Sequence, residues 1–148
     1  MTDTFRGGCA CGAIQYECTT EPVFSFNCHC RACQRFTGSA FISGIAVPAT
    51  AFKLMPGEPK YYTTRGDSGG EIGRGFCANC GSPVVARPTR MPDMIAIPAA
   101  SLEDPSWHKP AVDVFTASAQ PWDYMNPNLP KFLHGPESAN VNIERSQK

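Results

Sequence analysis

The sequence predicts a mainly β fold of short antiparallel strands with one or two short helices. Three observations predict it. Apolar residues recur at every second position along most of the chain, as on strands that bury one face. The 13 glycines and 14 prolines make up about 18% of the chain, above the usual share of roughly 12%, and they fall between the apolar stretches as turn residues do. Only one stretch near the cysteine-rich centre, residues 31–37, reads as a helix.

The elements follow in chain order. Ile14, Tyr16 and Cys18 alternate with Ala13, Gln15 and Glu17, which predicts a strand. Val23–Phe26 is a second strand, and Phe41–Val47, stopped by Pro48, is a third. Shorter strands are expected at Phe52–Met55, Tyr61–Thr64, Ile72–Phe76, Val84–Arg87, Met94–Ile97 and Val112–Thr116. Turn residues separate them: Pro56-Gly57, Gly66-Asp67, Gly69-Gly70, Pro88 and Pro92-Asp93. The helix is expected from Arg31 to Thr37, with Gly38 as its C-terminal cap. A single further turn is expected after Ser101, where Ser101-Leu-Glu-Asp104 resembles a capping box. The length fits one domain, residues 1–134, followed by a polar tail, residues 135–148, expected to fray.

Composition removes several function classes. Thirteen Lys and Arg balance 13 Asp and Glu, and no basic run stands out, so nucleic acid is not the expected partner. No apolar stretch approaches the ~20 residues of a membrane span. Met1–Arg6 has no apolar core of the kind a signal peptide carries. The expectation is a cytoplasmic protein with no membrane partner. There thiols stay reduced, and clustered cysteines serve metal binding or chemistry. An even count of eight also suits a secreted disulfide scaffold, but the spacing favours metal.

Seven of the eight cysteines fall into three clusters: Cys9-Ala-Cys11-Gly12, Cys28-His-Cys30-Arg-Ala-Cys33 and Cys77-Ala-Asn-Cys80-Gly81. The outer two contribute two thiols each. On a strand, residues i and i+2 share a face, so Cys9 and Cys11 can converge. Cys77 and Cys80 form a knuckle relaxed by a glycine. Together Cys9, Cys11, Cys77 and Cys80 make a closed four-sulfur shell, the pattern of structural zinc. The rival is a redox-active Cys77–Cys80 pair. It lacks the strand-to-helix setting of a thioredoxin-type motif, and Pro83 follows closely.

The middle cluster has three thiols. A zinc held by Cys28, Cys30 and Cys33 keeps one position free, which is the mark of a catalytic site. Three thiolates donate much charge and weaken the metal as a Lewis acid, so such a centre suits an incoming soft thiol better than water. The expectation is therefore two zinc ions, one structural and one catalytic. Cys18 decides whether the open position is open. It is either a buried core residue on the face of Ile14 and Tyr16, or the fourth ligand of a second structural zinc. His29 lies between two ligands and is expected to point away from them.

On these residues the chain resembles the glutathione-dependent formaldehyde-activating enzyme family, which shares its domain with centromere protein V. The matching segments are Gly8-Cys-Ala-Cys-Gly-Ala-Ile-Gln-Tyr16, Cys28-His-Cys-Arg-Ala-Cys-Gln-Arg-Phe-Thr-Gly-Ser-Ala-Phe41, Gly57-Glu-Pro59 and Phe76-Cys-Ala-Asn-Cys-Gly-Ser-Pro83. Ser101–Asp104, Pro121-Trp122 and Leu129–Phe132 match more loosely. The resemblance implies a zinc-binding fold of the β-tent type. It implies a structural zinc at Cys9, Cys11, Cys77 and Cys80 and a catalytic zinc at Cys28, Cys30 and Cys33. The implied reaction is that of a carbon–sulfur lyase, S-(hydroxymethyl)glutathione synthase, which joins glutathione to formaldehyde or reverses that step.

The expected function is thus addition of a thiol, with glutathione the foremost candidate, to formaldehyde or another small electrophile. Arg31, Gln34 and Arg35 flank the cluster, and an arginine there can fork onto a substrate carboxylate. Phe41, Phe76 and Trp122 are either pocket walls or plain core. The alternative function is a non-catalytic zinc- and thiol-binding module or glutathione carrier.

Overall fold

A computed structural model describes residues 4–66 and 69–135. The expected tail lies outside the described residues, apart from Gly135. Among the described residues ten strands and one α-helix form the scaffold: β1 (Phe5–Gly8), β2 (Gln15–Cys18), β3 (Phe24–Cys28), α1 (Arg31–Thr37), β4 (Ile42–Pro48), β5 (Phe52–Leu54), β6 (Lys60–Arg65), β7 (Glu71–Phe76), β8 (Pro83–Pro88), β9 (Met94–Pro98) and β10 (Asp113–Val114). The fold is mainly β, as expected.

The strands form two sheets. One has three strands in the order β1-β2-β5; the other has seven in the order β10-β3-β4-β9-β8-β7-β6. All neighbours are antiparallel except β10 and β3, which run parallel. Alternation gives each strand of the large sheet two different faces. Ile45, Val47, Ile95 and Ile97 from one face join Tyr16, Cys18 and Phe5 of the small sheet in the main core. The other face carries Phe24, Phe26 and Ile42, which pack with the middle cysteine cluster.

The helix has the predicted bounds. Cys30 caps its start, and Gly38 closes it in the left-handed region (φ 69°), its N–H donating to the Gln34 carbonyl at 2.8 Å. Three sequence expectations shift. β1 was not foreseen, because Phe5-Arg-Gly-Gly offers a single apolar side chain. The stretch expected at 112–116 is a strand only at Asp113–Val114, because Phe115 turns to φ 54°. The capping-box segment is not itself helical. Ser101 instead ends a 3₁₀ turn (Ala99–Ser101), and Asp104 caps another (Pro105–Trp107) by accepting from the Ser106 N–H at 3.1 Å.

Candidate metal centres

The outer cysteines meet where two sharp turns face each other. One turn follows β1, where the Cys9 N–H donates to the Ile14 carbonyl and the Gly12 N–H to the Cys9 carbonyl. The other joins β7 to β8, with the Cys77 N–H on the Ser82 carbonyl and the Gly81 N–H on the Cys77 carbonyl. Gly12 and Gly81 have φ of 81° and 80°, a conformation that a side chain resists. The turns are stitched together by the Ala10 N–H, which donates to Ser82 Oγ at 3.0 Å.

The four sulfurs lie within 4.8 Å of one another. Cys9 and Cys11 Sγ are 3.6 Å apart, and Cys11 and Cys77 Sγ 3.8 Å. Zinc–sulfur bonds of about 2.3 Å in a tetrahedron require sulfurs about 3.8 Å apart, so the donor set fits zinc. Donors already point at these sulfurs. The Ile14 N–H reaches Cys9 Sγ at 3.2 Å and Asn79 Nδ2 reaches Cys11 Sγ at 3.2 Å. The Ser82 hydroxyl holds the Cys80 thiol down to about 5. N–H and O–H groups aimed at sulfur stabilise thiolate, the form that binds metal.

Cys28, Cys30 and Cys33 form the second cluster, their sulfurs also within 4.8 Å of one another. Cys28 ends β3, Cys30 caps α1, and Cys33 sits in its first turn, where its N–H donates to Cys30 Sγ at 3.3 Å. All three are buried, at 8%, 4% and 6% exposure. Hydrogen bonds from Cys28 and Cys33 hold the Cys30 thiol far below the ordinary cysteine range, while the same pairing pushes Cys28 up. One sulfur in the trio thus concentrates negative charge that a cation would neutralise.

Cys18 stays apart from both clusters. It is fully buried in the main core, and burial pushes its thiol up to about 12. The trio therefore offers three sulfurs, not four. His29 does point away, and it serves as a hydrogen-bonding residue. It is completely buried between two carboxylates, with Nδ1 2.6 Å from Asp123 Oδ2 and Nε2 2.9 Å from Asp113 Oδ1. Asn27 and Lys131 also donate to Asp113. This clamp fixes the Cys28–Cys30 loop against β10 and the segment that follows it.

Arg74 is the residue that sequence reasoning missed. It lies on β7, is 4% exposed, and its Nη1 donates to Cys33 Sγ at 3.6 Å. Its Nε reaches Thr64 Oγ1 at 3.4 Å, and its guanidinium stands 5.5 Å from the Phe36 ring centre. Among the described residues no carboxylate pairs with it. A buried cation needs a counter-charge, and the thiol cluster is the anionic group it touches.

The flanking residues divide. Gln34 is buried and structural, Nε2 donating to the carbonyls of His29 (2.7 Å) and Ser118 (3.0 Å). Arg31 is exposed and donates to Gln34. Arg35 is exposed at a cleft that it shares with Tyr62, Thr64 and Arg74. Phe76 lines that cleft, Phe41 packs against the His29 ring at 5.1 Å, and Trp122, 62% exposed, walls neither site. On the other side of Arg74 the trio opens onto a cavity of about 160 Å³ with a mostly apolar lining.

The match to known families follows from the same residues. The family model described as glutathione-dependent formaldehyde-activating enzyme matches residues 4–118. The chain belongs to this family. Its role is therefore like that of this family, and its two cysteine clusters are suited to zinc. No curated protein matches the chain. Among solved structures, a Rhodobacter sphaeroides protein, a structural genomics target, is similar at TM-score 0.56 and 18% identity, over 86% of this chain and 98% of that one. That similarity shows a shared fold. Among the described residues no helix is long and apolar enough to cross a membrane.

Proposed function

We propose that the protein is a carbon–sulfur lyase that adds a thiol, foremost glutathione, to formaldehyde or a related small electrophile at Cys28, Cys30 and Cys33. The observation that carries this reading is the count and placement of sulfurs: three converge beside a cavity and no fourth joins them. Zinc bound there would lower the pKa of an incoming thiol and orient its sulfur. Cys9, Cys11, Cys77 and Cys80 would hold a second, structural zinc.

The chain's own residues supply the rest. Arg74 offsets the negative charge of the sulfurs from within hydrogen-bond reach of Cys33. Gln34 and the Asp113–His29–Asp123 clamp hold the cluster in place. Arg35, exposed at its cleft, is suited to a substrate carboxylate. In the reaction a sulfur–carbon bond forms, the carbonyl π pair moves to oxygen, and that oxygen takes the proton the thiol gave up. We read residues 1–134 as the unit that does this, in a reducing compartment such as the cytoplasm that suits eight free cysteines.

The test is titration of glutathione into the zinc protein, followed by X-ray absorption at the zinc edge. Added sulfur coordination is expected; an unchanged shell would sink the thiol-ligand reading. Turnover above the spontaneous rate of hydroxymethyl-thiol formation separates an enzyme from a carrier.

A further inference from the structure

The cavity beside the cysteine trio is larger and more apolar than a one-carbon electrophile needs. Its floor is one face of the seven-stranded sheet. Paired residues on neighbouring strands share a face, and the register sets Phe24, Ala46, Ala96, Ala86 and Arg74 in one rung across five strands. Three successive alanines make a trough between a phenylalanine and an arginine. In the next rung Gly44 faces Phe26, where a Cβ would stand 2.9 Å from the aromatic ring. The cavity measures about 160 Å³, and an apolar cavity of ~150 Å³ holds a benzene-sized guest. At the cysteine end stands one buried polar donor, Arg74, which lines the cavity and whose Nη2 has no hydrogen-bond partner among the described residues. Formaldehyde has no substituent to fill this trough.

We propose that the site takes an aldehyde bearing an apolar substituent of phenyl or short-alkyl size, with Arg74 Nη2 donating to the carbonyl oxygen. This rests on the thiol-addition reading above and names its electrophile. The thiol sulfur bonds to the aldehyde carbon, the C=O π pair moves onto oxygen, and that oxygen takes the thiol's proton; nothing is oxidised. The Arg74 donor gains strength as charge develops on the oxygen, and the apolar substituent replaces water over the alanine floor.

The test uses the zinc-loaded full chain with glutathione and formaldehyde, butanal or benzaldehyde. NMR exchange spectroscopy measures each adduct's exchange against its uncatalysed rate. Acceleration of butanal and benzaldehyde is expected to exceed that of formaldehyde at least about tenfold. Unreactive benzyl alcohol should show saturation transfer from the protein, and Ala46→Leu should abolish that transfer and lower the benzaldehyde-to-formaldehyde ratio about tenfold. Equal or greater acceleration of formaldehyde, with no benzyl alcohol binding, overturns the proposal and leaves thiol addition standing. No acceleration of any aldehyde overturns both. Benzyl alcohol binding only after removal of residues 136–148 assigns the trough to the chain's own C-terminus and also overturns it.

Discussion

Arg74 shows what a single residue does for the thiol cluster. Its charge is buried at 4% exposure, and the anionic group within its reach is the cysteine trio. Groups that hydrogen-bond to metal ligands typically change metal affinity by about 10- to 100-fold when removed. Arg74→Met is therefore expected to weaken zinc binding at the trio by about that factor in chelator competition, with Arg74→Lys recovering part of it. Equal affinity in all three proteins would remove Arg74 from the site. The cysteines themselves were legible in the sequence because ligands two or three residues apart are set by local chain geometry. Arg74 was not, because 41 residues separate it from Cys33 and only the strand register brings them together. For the same reason the two aspartates that hold His29, 84 and 94 residues away, left no local signal.

At the scale of elements, β10 is the piece that locks the trio in place. It is two residues long, pairs parallel with β3, and holds on through side chains: Asp113 accepts from His29, Asn27 and Lys131. Burial pushes the Asp113 carboxyl up, but these three donors outweigh it and hold the group below its ordinary value. A depressed carboxylate stabilises the fold fully above its unfolded pKa of about 3.9, and that contribution is lost as pH falls through the lower folded value. Asp113→Asn should thus cost about 2 kcal/mol in denaturant unfolding at pH 5 to 7, since it removes a buried carboxylate that accepts from His29, Asn27 and Lys131. The gap from wild type should narrow only below about pH 4. A gap that closes near pH 6 would point to another group. Most strands were legible because alternation marks a half-buried strand wherever it is four or more residues long. β1, although four residues long, carries a single apolar side chain, the strand expected over 112–116 shortens to the two residues of β10, and the parallel pairing of β10 with β3 depends on neighbours that no local pattern encodes.

Across the whole molecule the two cysteine clusters are expected to have different jobs. The outer four tie positions 66 residues apart in sequence, joining the turn after β1 to the β7–β8 turn. Closing so long a loop removes much freedom from the unfolded chain. Cys80→Ser is therefore expected to lower thermal stability sharply or abolish folding, as the loss of a structural zinc does. The trio lies in a second cluster of buried residues beside a cavity, and the strands around it are held by their own register. Removing it should leave the architecture standing. The most direct test of this division is metal content, with the circular dichroism spectrum, in wild type and Cys33→Ala. Two zincs per chain falling to one, with the β spectrum retained, is the predicted result. Two zincs persisting in the variant, or loss of the fold with the second zinc, would contradict it.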